Sequence, residues 1–205
     1  MRSMKTKNLT LFAFFLAVEL VLLFTPLGFL RIGPLSATLM HIPVIIASIT
    51  MGWKYGACLG LVFGLCSVWN ATFAPSITSF CFSPFMSFGE YQGNFSSLII
   101  AIVPRILIGL LSALVYSALR KRNINEHGSI IASALTGSFV NTVLVLGLIY
   151  IFFGASYAAV TNISYEALIG VLMGVVFTNG IAEAVIGCIV ALTVCKALKP
   201  MLRKK

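Results

Sequence analysis

Residues 37–76 read ATLMHIPVIIASITMGWKYGACLGLVFGLCSVWNATFAPS. Two apolar runs fold back on each other around the turn Met51-Gly52-Trp53-Lys54-Tyr55-Gly56. The first run carries His41 and Pro43 near its start; the second carries Gly56, Gly60 and Gly64 and ends at Asn70. Glycines four residues apart share one helix face and let a neighbouring backbone approach closely, as helices do when they associate in lipid. The reading is a hairpin of membrane helices around which the rest of the chain packs.

The composition agrees. The chain has 205 residues, of which 60% are hydrophobic and 9% charged, and its mean hydropathy is +1.05. Soluble domains average about 25% charged residues, so this deficit describes a membrane protein. A spanning helix needs about 20 apolar residues. The apolar runs predict an all-α, six-transmembrane-helix bundle in one integral membrane domain, 1–205, with spans at about 9–29, 35–51, 55–72, 96–119, 129–153 and 176–198. The apolar stretch 166–198 is too long for one untilted span, which predicts an interfacial or re-entrant piece before the last helix. The first run lacks a small-residue cleavage site and reads as a retained helix.

The net charge of +9 suggests a nucleic-acid partner until its placement is considered. Arg2, Lys5, Lys7, Lys54, Arg120, Lys121, Arg122, Lys196, Lys199, Arg203, Lys204 and Lys205 gather at one set of span ends, with only Arg31 and Arg105 elsewhere. That is the positive-inside pattern, which puts both termini in the cytoplasm of a multi-pass protein of the cell membrane in contact with lipid, and excludes a nucleic-acid role. The segment 73–95 is then external, and its length and Ser, Phe and Gly content suggest a lid or cap. Five cysteines form no CxxC pair and imply no disulfide framework. No phosphate-binding loop, HExxH, G-x-S-x-G or aspartate occurs, and two histidines cannot build a metal site. An enzyme with catalytic residues, a cofactor or a metal is not expected.

Polar groups are costly in hydrocarbon, so their depth is informative. His41, Asn70, Arg105, Asn179 and Glu183 fall in the outer parts of their spans, and Asn141 near the middle of its own. Asn179 and Glu183, four residues apart, share a helix face. Singly, each asparagine reads equally well as interhelical glue, Arg105 with Glu183 as a structural ion pair, and His41 as a satisfied core residue. Jointly they suggest an outward-facing site for a small polar solute, with Trp69, Phe80, Phe82 and Phe85 as its apolar wall. Glu19, mid-span, reads either as a proton-coupling group or as a carboxyl with a partner inside the bundle. Ala13 and Ala17, one turn apart on a bulky helix, form a contact surface for another helix, in this bundle or in a partner.

The blocks ATLMHIPVII (37–46), MGWKYGACLGLVFGL (51–65), IIAIVPRILIGLL (99–111), VNTVLVLGLIY (140–150) and NGIAEAVIG (179–187), with six spans and the A-x-x-x-A pair, resemble the substrate-binding S components of energy-coupling-factor (ECF) vitamin transporters, most of all the pantothenate type. The resemblance covers nearly the whole chain. It implies a vitamin ligand held by the polar set, and docking of Ala13 and Ala17 on a transmembrane scaffold subunit that carries two ATPase subunits. Pantothenate bears a carboxylate, two hydroxyls and an amide, for which Arg105 and the asparagines are suited. The alternative within the same family is that this chain is an S component for another vitamin, folate or riboflavin. The different class of reading is a self-contained proton-coupled transporter using Glu19 or Glu183.

Overall fold

The computed structural model describes residues 2–26, 28–32 and 35–203, with side chains left out at 2–5, 30–32, 35–37 and 200–203. Leu27, Lys204 and Lys205, and the side chains of Arg2, Lys5, Arg31 and Arg203, therefore lie outside the described residues. In chain order come α1 (Arg2–Leu23), a hairpin of β1 (Phe29–Ile32) and β2 (Leu35–Thr38), α2 (His41–Met51) and α3 (Trp53–Phe73). A capping segment follows, with a tight turn at Ser79–Cys81 and a small hairpin of β3 (Ser87–Phe88) and β4 (Tyr91–Gln92). The chain ends with α4 (Phe95–Lys121), α5 (Glu126–Val160), α6 (Tyr165–Val175), a π turn (Val176–Gly180) and α7 (Ile181–Arg203).

Five helices among the described residues are long and apolar enough to cross a membrane: Thr6–Leu23, Trp53–Phe73, Phe95–Lys121, Glu126–Val160 and Tyr165–Lys199. An all-α membrane bundle is what the apolar runs predict, but three expected spans differ. The first, expected to run to 29, ends as a helix at Leu23, and Phe29 opens β1. The run 35–51 is not one helix: it enters as strand β2 and continues as α2, 11 residues long. Eleven residues rise about 16 Å, roughly half of a hydrocarbon core of about 30 Å. Nine residues of α2 are buried, so it is a plug inside the bundle with hardly any lipid-facing surface. The stretch 165–199 is one continuous helix with the π turn inside it, with no separate interfacial piece. At about 1.5 Å per residue, this helix and α5, 35 residues each, outrun the hydrocarbon core and must tilt or project beyond it.

Local chemistry sets several boundaries. Gly52 takes φ +93°, a conformation that costs other residues a clash, and so turns α2 directly into α3. Asn94 and Ser97 form a reciprocal capping box at the start of α4. Asn125 caps α5 by accepting from the Gly128 N–H at 2.6 Å. Large apolar side chains such as Leu65, Phe139, Ile151 and Ile189 stand exposed on the outer faces of the spans, as a lipid-facing surface requires.

The interior has two apolar clusters. One joins Phe15 of α1 with α2, Leu59, Phe63, Ile108, Ile130 and Ala191. The other joins Phe80 and Cys81 of the capping segment with Ile149, Phe153 and Tyr157 of α5 and Leu168 and Leu172 of α6. The described basic residues at helix ends belong to the first side, where Lys199 pairs with Glu126 at the α5 N-terminus. Between the clusters lies a polar layer, and the site is in it.

Candidate functional site

α3 and α4 meet along a close seam. A Cβ on Gly60 would stand 2.2 Å from the Arg105 carbonyl oxygen, and one on Gly109 would stand 2.2 Å from the backbone of Gly56. Only glycine permits that approach, so the glycine spacing in α3 fixes where the Arg105 backbone sits. From this seam the Arg105 side chain reaches into a cavity of about 90 Å³.

The cavity gathers polar groups from every layer. Asn70 comes from α3, Arg105 from α4, Asn141 and Thr142 from α5, Asn179 from the π turn and Glu183 from α7. The capping segment adds Ser76, Thr78, Ser79 and Phe82. Arg105 is 4% exposed; its Nη1–H donates to the Ile100 carbonyl at 2.8 Å, and its guanidinium lies 5.2 Å from the Phe63 ring and 5.6 Å from the Phe82 ring. Arg105 Nε and Asn141 Oδ1 are buried with no hydrogen-bond partner among the described residues. Orphaned polar atoms of this kind are expensive unless something polar meets them, and both residues line the cavity.

Glu183 faces the same cavity but forms no ion pair with Arg105 among the described residues. Its Oε1 accepts from the Thr38 backbone N–H at 2.8 Å, and Thr38 Oγ1 donates to the Gly28 carbonyl at 2.8 Å. Glu183 thus satisfies backbone at the end of β2, just before α2, which membrane depth demands. His41 stands apart from the other five sequence-selected residues. It is fully buried and absent from the cavity wall; Nδ1 lies 2.8 Å from the Thr38 carbonyl and Nε2 3.2 Å from the Ser138 hydroxyl. Both ring nitrogens are engaged, which is how a satisfied core histidine looks. A carbonyl partner requires Nδ1 to be the donor, leaving Nε2 to accept from Ser138.

Of the expected aromatic wall, Phe82 alone lines the cavity. Phe80 is buried in the second apolar cluster, while Trp69 and Phe85 are exposed. The sequence reading missed Ser76, Thr78, Ser79 and Thr142. The run Ser76-Ile77-Thr78-Ser79 is a polar cluster at the mouth of a span, and that was the available signal. On the far side of the bundle, Ala13 and Ala17 are exposed, and of the described side chains of α1 only Phe15 and Glu19 are buried. The alanine pair is therefore not buried among the described residues of this chain. Glu19 is completely buried, and neither carboxylate oxygen has a hydrogen-bond partner among the described residues.

Comparison with known proteins follows the same lines. The family described as "ECF transporter, substrate-specific component" matches residues 7–195. A relative from Lactococcus lactis subsp. cremoris, named pantothenic acid transporter PanT, is 39% identical over 201 residues, covering 97% of this chain and 96% of the relative. Another, from Leuconostoc mesenteroides subsp. mesenteroides, named pantothenate transporter PanT, is 31% identical over 211 residues, covering 98% and 96%. These relatives are transporters and not enzymes. The chain belongs to the substrate-specific components of ECF transporters, multi-pass proteins of the cell membrane.

Proposed function

We propose that the polar cavity binds pantothenate and that the chain, acting as one membrane domain, hands it to an ATP-driven module of separate subunits. The observation that carries this reading is the cavity itself: one cation, three amides and several hydroxyls converge on one place, and two of them have orphaned atoms. Arg105 pairs with the carboxylate, while Asn70, Asn141 and Asn179 take the hydroxyls and the amide. Glu183 and His41 hold Thr38 and with it the β2–α2 wall; Glu183 is also within reach of a ligand hydroxyl. The names of two full-length relatives support the same vitamin. A cavity of about 90 Å³ is small beside the pockets of about 300–1,000 Å³ typical of bound ligands. Admission of the vitamin therefore requires the walls to part, and we assign that movement to the capping segment.

Orientation follows from charge. Lys7, Lys54, Arg120, Lys121, Arg122, Lys196 and Lys199 mark the cytoplasmic end, so both termini lie inside and the cap faces out. The exposed Ala13 and Ala17 face is the docking surface for a transmembrane scaffold subunit that carries two ATPases. The test is Ala13→Trp with Ala17→Trp. The double variant should bind pantothenate as the unmodified protein does and support no uptake in cells that contain the module. Uptake at the unmodified rate refutes the docking role. Uptake by the unmodified chain alone in liposomes, driven by a proton gradient, would favour a self-contained transporter using Glu19 or Glu183.

A further inference from the structure

Pro104 lies buried inside α4 and has no N–H. The carbonyl four residues earlier, at Ile100, is therefore deprived of its usual helical donor. In water a solvent molecule would take that carbonyl, but within a membrane span the protein must. Arg105, the very next residue, turns back and donates to it at 2.8 Å. The guanidinium also lies over Phe63 of α3 at 5.2 Å and over Phe82 at 5.6 Å, each to the ring centroid.

Phe82 is held in place. Its N–H donates to the Ser79 carbonyl at 3.0 Å, and the preceding Phe80 and Cys81 are buried. The Ser97 hydroxyl donates to the Phe80 carbonyl at 2.7 Å, tying the turn to the start of α4. The two contacts outside α3 are thus a carbonyl freed by a proline and a ring fixed by the cap.

Resting on the pantothenate reading, we propose that Pro104 and Phe82 are positioning residues that aim the other N–H groups of Arg105 into the cavity, and so set the preference of the site for an anionic over a neutral ligand. Alanine at 104 returns a backbone donor to Ile100, which then competes with Arg105 for the carbonyl. Loss of the Phe82 ring removes one of the two aromatic faces that hold the cation.

The experiment compares equilibrium binding of pantothenate with that of its neutral alcohol analogue, in which a hydroxymethyl group replaces the carboxylate. The quantity read is the ratio of the two dissociation constants, in the unmodified protein and in Pro104→Ala, Phe82→Leu, Phe82→Tyr and Arg105→Ala. Pro104→Ala regains a helical hydrogen bond and should melt no lower than the unmodified protein. In Pro104→Ala and Phe82→Leu the preference for the acid, read as the ratio of the two constants, should fall about 3- to 10-fold, and Phe82→Tyr should keep it. An unchanged ratio in both Pro104→Ala and Phe82→Leu, with the ratio collapsed in Arg105→Ala, overturns the positioning role and leaves the carboxylate reading standing. An unchanged ratio in Arg105→Ala overturns the carboxylate reading, and this inference with it.

Discussion

The α3–α4 seam and the α5–α7 wall face each other across the cavity and are built on opposite principles. The seam is made of small residues in backbone contact: Gly64 against Ala101, Gly60 against Arg105 and Gly56 against Gly109. The wall is made of polar side chains, Asn141 and Thr142 of α5, Asn179 of the π turn and Glu183 of α7, with an orphaned amide oxygen at Asn141. Packing completes the seam, so it is a fixed mount for Arg105. The wall is left with an amide oxygen that packing does not satisfy, and it contains a π turn, a feature frequent at functional sites. A binding protein needs both: a rigid frame to pre-organise one contact, and an unfinished surface whose remaining contacts come from the ligand.

The largest effect that would break this contrast is expected at the seam. Gly60→Leu puts a side chain where even a Cβ would lie 2.2 Å from backbone. Backbone cannot yield as a flexible side chain does, so the cost should reach or exceed the upper end of the usual overpacking range, about 3 kcal/mol. Loss of the monodisperse folded protein in detergent, seen by size exclusion and thermal melting, checks this. A normal melting curve would mean that the seam is not close-packed.

The wall should behave in the reverse way. Asn141→Leu removes an amide oxygen that has no partner, so folding loses no hydrogen bond there and the melting temperature should hold or rise. Pantothenate binding should weaken about 10-fold, the size of one lost hydrogen bond of about 1.4 kcal/mol. Coupled loss of melting temperature and affinity would instead place Asn141 with the structural seam.

A smaller effect sharpens the role of the cap. Cys81 is fully buried within it, and burial pushes its thiol pKa up, so little thiolate exists at neutral pH. Maleimide labelling of Cys81 from outside should be slow, should quicken as pH rises, and should slow further, by a few fold, when saturating pantothenate holds the cap closed. Labelling at the rate of an exposed thiol, with or without ligand, would mean that the cap does not close over the site.

Much of the fold was legible because hydrocarbon leaves few options. Long apolar runs gave the five full-length helices, and the cost of polar groups in lipid singled out Asn70, Arg105, Asn141, Asn179 and Glu183, which the structure brings to one cavity. The short α2 was not legible, because 35–51 is apolar enough overall to read as one span, and a strand followed by a buried helix has the same mean hydropathy. The π turn has no sequence signature in Val176-Phe177-Thr178-Asn179-Gly180. His41 shows the other limit: a polar residue in a span reads the same whether it meets a ligand or, as here, Thr38 and Ser138. Pro104 beside Arg105 was open to reading, since a proline in a span frees a carbonyl and the adjacent arginine can take it.

The central claim is that the cation mounted on the seam meets the carboxylate of the vitamin inside this cavity. Titration of pantothenate into purified Arg105→Ala, beside the unmodified protein, tests it most directly. Removing one side of a buried charged contact costs roughly 2–5 kcal/mol, so affinity should fall on the order of 30-fold or more while the protein remains folded. A folded Arg105→Ala protein that binds pantothenate with undiminished affinity would contradict the account.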